Sequence, residues 1–177
     1  LKVEDLVIKS DSKSERNKVN HVSLEVRSGE IVALAGVENN GQAELVMGLT
    51  GLMPITSGKI FIDHSEITQW TIGQRNNGYI SHIPEDRHKY GLILDFILSN
   101  NLILQTFYKE QFCDHGFLNF KNINKYSKKL IKQYDIRAPQ GPDTLVRNMS
   151  GGNQQKTILA REMDREHKLL IAVQPTR

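Results

Sequence analysis

The chain has 177 residues, 23 Lys+Arg against 20 Asp+Glu, a single cysteine and 38% apolar residues. That length suits one ordinary domain, or a core with a small subdomain, and buries enough surface to fold without staples; lone Cys113 excludes an intramolecular disulfide framework. A net charge of +3 is too slight to single out a polyanionic partner, no apolar run approaches the roughly 20 residues of a membrane span, and Lys2, Glu4 and Asp5 stand where a signal peptide is apolar. These features together predict a soluble intracellular domain.

The segments KVEDLVIK (2–9) and VNHVSLEV (19–26) alternate apolar and polar residues and predict strands, with the polar stretch 10–18 as a loop between them. IVALAG (31–36) is wholly apolar and ends in glycine, the pattern of a strand buried on both faces. QAELVMGLTGL (42–52) places Ala43, Leu45, Val46 and Leu49 at helical spacing, so the order is strand, glycine-bearing loop, helix. Further strands are expected at KIFI (59–62) and YISHI (79–83). From Glu85 on the composition turns to helix formers and lysine, with amphipathic stretches at 94–106 and 122–135. Lys121, Lys125, Lys128, Lys129 and Lys132 read as a solvated helix face, with no nucleic-acid partner. Another helix (157–168) and an apolar strand, LLIAV (169–173), close the chain.

The expected class is α/β, with the strands and phosphate loop in 1–84, an inserted helical subdomain in 85–149, and a helix followed by a strand in 150–177.

Two motifs carry chemistry. Gly36, Val37, Glu38, Asn39, Asn40 and Gly41 have the G-x-x-x-x-G spacing of a phosphate-binding loop, placed between a predicted strand and a helix. Such a loop turns successive backbone N–H groups into one concavity at the positive end of a helix. Here Gln42 and Ala43 replace the lysine that reaches the outer phosphates and the hydroxyl that ligates magnesium, and Glu38 and Glu44 add negative charge. By itself this motif fits a glycine-punctuated strand–helix turn equally well. The second motif, Met149, Ser150, Gly151, Gly152, Asn153 and Gln154, starts a helix with Ser150 at the N-cap.

MSGGNQQK (149–156) resembles the signature sequence of ATP-binding-cassette proteins, in the variant of sugar and nucleoside importers. With GEIVALAGVENNGQAEL and HIPEDRHKYGLIL, the whole chain resembles the C-terminal nucleotide-binding domain of tandem ATPase subunits of such importers. The resemblance implies a P-loop core with N-terminal antiparallel strands, and puts Glu85 at the glutamine-loop position. It matches LLIAVQPTR to the strand that normally ends in Asp-Glu, so Val173 stands for the magnesium-organising Asp and Gln174 for the general base. Hydrolysis in such sites rests on magnesium, a bridging lysine and a carboxylate that orients water. Lysine, hydroxyl, Asp and Glu are all replaced, so no catalytic residue and no metal ligand is expected in this chain's own site. Residues 10–20 also lack the aromatic that stacks on adenine.

The signature is intact. The resemblance therefore implies a donor in trans: Ser150 and the Gly151 and Gly152 amides complete a second nucleotide-binding domain's ATP site. ATP is then weak in this chain's own site, and Mg²⁺ belongs only to the partner's. Permease subunits would hold the assembly at the cytoplasmic face of the membrane. The chain ends at Pro175-Thr176-Arg177, before the family's aspartate loop and switch histidine, so a C-terminally truncated piece is expected. A self-sufficient ATPase and a non-transport binding module of the same superfamily are the competing readings. The histidines, Cys113 and Trp70 read as surface or packing residues.

Overall fold

A computed structural model describes residues 1–9, 17–37 and 39–175. Glu38, residues 10–16 of the expected loop and the final Thr176-Arg177 lie outside them. The chain forms two compact units, Leu1–Ile80 with His167–Ile171, and Ser81–Glu166 with the residues from Ala172 on.

In the first unit, β1 (Lys2–Lys9) pairs antiparallel with β2 (Asn17–Glu25) on one edge and β3 (Ser57–Ile62) on the other; β4 (Ser65–Glu66) follows, giving the order β2-β1-β3-β4. Both alternating segments thus form the strands their periodicity predicts, and Asn17 and Lys18 join β2 instead of the loop. Alternation works here because one face is covered: Val3, Leu6, Ile8, Val19, Ile60 and Ile62 bury together with Leu45 and Leu49 of α1 (Gln42–Thr50).

The expected strand at 31–36 does not form. Residues 31–37 are irregular and exposed, Ile31 by 96% and Val37 by 79%. An apolar run becomes a strand only when neighbouring backbones satisfy its N–H and C=O groups. Both edges of β1 are already occupied, and no described strand pairs with 31–37.

Arg75, in the short α2 (Ile72–Asn76), is only 2% exposed. Its guanidinium donates to the carbonyls of Gly48 (3.2 Å) and Leu49 (2.7 Å) at the end of α1, and to Thr68 (2.8 Å) and Trp70 (3.1 Å). A cation on the last carbonyls of a helix matches its negative end. Trp70 packs edge-on against Tyr79, with ring centroids 5.1 Å apart, as a packing residue should.

In the second unit, β5 (Ile80–Ile83) leads to one turn of π-helix at Arg87–Gly91, then α3 (Leu98–Leu102), a small hairpin of β6 (Cys113–Asp114) and β7 (Phe117–Leu118), and α4 (Phe120–Gln133). The amphipathic stretch 94–106 thus yields only the five residues of α3. Asn101 explains why: its buried amide donates to the carbonyls of Ile93 (3.0 Å) and Phe96 (3.4 Å), fixing a turn instead of a first helical turn. The α4 lysines 121, 125, 128, 129 and 132 are all exposed, as a solvated face requires. Ile103, Phe112 and Ile123 form the adjoining core with Tyr126.

The helix α5 (Gly151–Asp164) starts at its expected N-cap and ends short of the expected residue 168. A buried cluster anchors its far end. Glu162, 0% exposed, bonds Arg161 Nε at 2.9 Å and Arg165 Nε at 3.1 Å, and Arg165 Nε also reaches Ser81 Oγ at 2.8 Å. β8 (Leu169–Ala172) closes the order, half-buried where its apolar run predicts full burial. Among the described residues no helix is long and apolar enough to cross a membrane.

Candidate functional site

Gly41 adopts φ +95° at the N-cap of α1, with the Lys18 carbonyl directly behind its Cα. Both the left-handed backbone and the missing room require glycine there. No side chain caps the helix, so its first N–H groups stay open, as a phosphate loop needs. The side chain of Gln42 then occupies the space. It folds back over Gly36, where a Cβ would collide with its amide, and Nε2 donates to the Val37 carbonyl at 3.2 Å. Asn39 sits at φ +65°, while Glu44 lies 3.8 Å from Lys18 Nζ, so part of its charge is met within the loop's own surroundings. Gly36, Val37, Asn39, Asn40, Gly41, Gln42, Ala43 and Glu44 therefore lie in one segment of the first unit; Glu38 falls outside the described residues.

Glu85, Met149 to Gln154, Val173 and Gln174 belong to the second unit. Ser150 Oγ accepts from Asn153 N at 3.4 Å and from Asn153 Nδ2 at 2.9 Å. The first intrahelical bond is Gln154 N to Ser150 O, 2.9 Å, so the Gly151 and Gly152 amides precede the ladder. The side chains that follow are fastened to the chain: Asn153 Oδ1 accepts from Arg137 N at 2.8 Å, and Gln154 Nε2 donates to the Val146 carbonyl at 3.0 Å. Met149 is buried.

After β8 the Val173 N–H donates to the Ile83 carbonyl at 2.9 Å, and Gln174 turns into the left-handed region at φ +45°. Gln174 Nε2 donates to Glu85 Oε1 at 2.9 Å, and Gln155 Nε2 of α5 to the Pro175 carbonyl at 3.1 Å. Side-chain amides thus join Gln174 to Glu85 and α5 to Pro175. Among the described residues no group of three or more His, Cys, Asp or Glu side chains could hold a metal ion.

Sequence reasoning missed Arg87 and His88. The guanidinium of Arg87 lies on Gly151, and His88 Nε2 bonds Gln154 Oε1 at 2.9 Å. Both follow Glu85 in a segment already singled out, yet no spacing rule places that segment on a distant helix. His82 was also missed. Burial, with Arg161 and Arg165 adding to it against the pull of Glu162, holds its imidazole below the usual pKa, and its Nε2 is buried without a hydrogen-bond partner.

A family model described as ABC transporter matches residues 19–177. The nucleoside import ATP-binding protein NupA of Lactococcus lactis is 43% identical over 177 residues, which is 100% of this chain and 34% of that protein. The guanosine import ATP-binding protein NupO of Bacillus subtilis is 46% identical over 159 residues, 90% of this chain and 31% of that protein. The chain thus spans about a third of the length of these curated relatives. Among solved structures, the ATP-binding cassette MJ0796, in a dimeric post-hydrolysis state bound to ADP and Pi, superposes with a TM-score of 0.80 at 19% identity, covering 99% of this chain and 74% of that one. The likeness shows an α/β cassette fold. With the family model matching from β2 to the last residue and the relatives aligning along the chain, this protein belongs to the ABC transporter family.

Proposed function

We propose that the chain is part of the ATP-binding subunit of an importer for nucleosides or simple sugars, silent in its own phosphate loop and acting as a donor to a second nucleotide-binding domain. One contrast carries the reading: Gln42 folds over the loop and bonds the loop's own Val37 carbonyl, while the Gly151 and Gly152 amides at the start of α5 precede the helix's hydrogen-bond ladder. Lysine and hydroxyl are replaced by Gln42 and Ala43, and the strand-end carboxylates by Val173 and Gln174. Ser150 with the Gly151 and Gly152 amides offers donors for a γ-phosphate held by the partner. ATP and Mg²⁺ belong to that partner's site, where the metal neutralises phosphate charge. Glu85 faces permease subunits, which keep the assembly at the cytoplasmic side of the membrane; the import functions named for NupA and NupO support this class of cargo.

The test is calorimetry and turnover on the isolated chain. We expect no magnesium-dependent ATP hydrolysis above background, and a weak nucleotide affinity that changes less than about tenfold, or 1.4 kcal/mol, on adding EDTA. Magnesium-dependent turnover that purifies with the chain and vanishes on changing Gly41 would instead make it a self-sufficient ATPase.

A further inference from the structure

We propose that Arg87 joins the first turn of α5 in holding the terminal phosphate of a nucleotide, as a binding residue of the donor surface; this rests on the reading of Ser150 to Gln154 given above. The placement of its charge is the starting observation. A Cβ on Gly151 would meet Arg87 Nη2 at 2.9 Å, Cζ at 3.5 Å and Nε at 4.0 Å. The guanidinium therefore lies across the N-terminus of a helix of 14 residues, where the aligned peptides carry about half a positive charge. Two positive ends in contact repel, so the arrangement calls for an anion.

The chain does not provide one. Among the described residues Arg87 makes no ion pair, and its Nε is buried without a hydrogen-bond partner. Neighbouring carboxylates are engaged elsewhere. Asp86 accepts from the His88 and Lys89 N–H groups, each at 3.0 Å, and Glu85 accepts from Gln174. Beside Arg87 a cavity of about 320 Å³ is lined by Gly151, Gly152, Gln155, Lys156 and Pro175, with no acid on its wall. Lys156 turns its ammonium to Asp135, 2.8 Å from Oδ2, which leaves Arg87 and the helix end to define the field. A terminal phosphate fits this pair: its oxygens match the fork of a guanidinium and the amides of Gly151 and Gly152 together. Glycine at 151 keeps the two groups close enough to share one oxyanion.

The same geometry sets the expectation for Gly151→Asp. The new carboxylate lands against Arg87, at the flexible end of its side chain, and becomes an internal anion that both stabilises the helix end and fills the site.

The experiment follows the Gly151 and Gly152 amides and the Arg87 Nε–H by nitrogen-15 NMR of the chain. The probe is inorganic phosphate, titrated against sodium chloride of equal ionic strength. We expect a saturable phosphate response that weakens at least tenfold in Arg87→Ala and less in Arg87→Lys, which keeps charge but loses the fork. Gly151→Asp is expected to abolish the response and raise the thermal midpoint, the rise disappearing in the Arg87→Ala background. A phosphate response at Gly151 and Gly152 that Arg87→Ala leaves unchanged overturns the role of Arg87 and leaves the donor reading standing. No phosphate-specific response at these amides overturns the inference, and so does a fall in midpoint for Gly151→Asp that is equal in both backgrounds. The donor reading itself fails or stands on turnover of the assembled complex.

Discussion

Gln42 and Ser150 are both uncharged polar residues at the start of a helix that follows glycine-bearing or glycine-led sequence, yet they face opposite ways. Gln42 turns inward and spends its amide on Val37, whereas Ser150 accepts from Asn153 at an exposed helix start. His82 makes a second argument at this scale, with the sign fixed by its surroundings. Its folded-state pKa is depressed, chiefly by burial, so the folded form stays neutral while the unfolded chain protonates near the ordinary value of about 6.5. The unfolded state then binds the extra proton, and stability is full above that value and lost as pH falls from about 6.5 toward the folded pKa. Hydrogen exchange of the α5 amides is expected to lose protection as pH falls below about 6.5, and to lose less of it in His82→Asn. Equal losses in both proteins would contradict the assignment.

At the scale of elements, two buried guanidinium clusters hold the helices that carry the motifs. Arg75 donates to carbonyls at the end of α1, and Glu162 joins Arg161 and Arg165 inside the second unit. Arg75→Met leaves several buried carbonyls without donors, each unmet group costing about 1–3 kcal/mol. The fluorescence of Trp70, the only tryptophan, reports the first unit and is expected to show a stability loss of at least about 3 kcal/mol; a loss below about 1 kcal/mol would show that the network is replaceable. Glu162→Gln strands two buried cations, and breaking such a pair from one side costs about 3–5 kcal/mol. The expected result is collapsed hydrogen-exchange protection along α5, and unchanged protection would refute it.

Neither cluster was legible in the sequence. The arginine of IGQRN and the two of REMDRE carry no periodic signal, and their burial is decided by elements that fold around them. Alternation at 2–9 and the Ser150 N-cap were legible because each is a local pattern whose physics is complete within a few residues. The run at 31–36 misled for the same reason in reverse. Its apolarity is local, but a buried strand also needs neighbours, and no described strand supplies them. Arg87 and His88 were invisible because a contact with Gly151 or Gln154 depends on how the turn after β5 places them.

For the whole molecule, family and fold rest on the match over residues 19–177 and on the cassette superposition, while the proposed division of labour rests on residues of each unit separately. The proposed function makes the phosphate loop of the first unit silent and the start of α5 in the second the donor surface. Both halves of that claim meet in one measurement, the steady-state ATPase of the reconstituted complex with its second nucleotide-binding domain and permease subunits. Ser150→Ala removes one hydrogen bond to a charged group, about 1.5–3 kcal/mol, and is expected to lower turnover at least tenfold. Gln42→Ala, in the silent loop, is expected to leave it within about twofold. A complex disabled by Gln42→Ala and indifferent to Ser150→Ala would contradict the account.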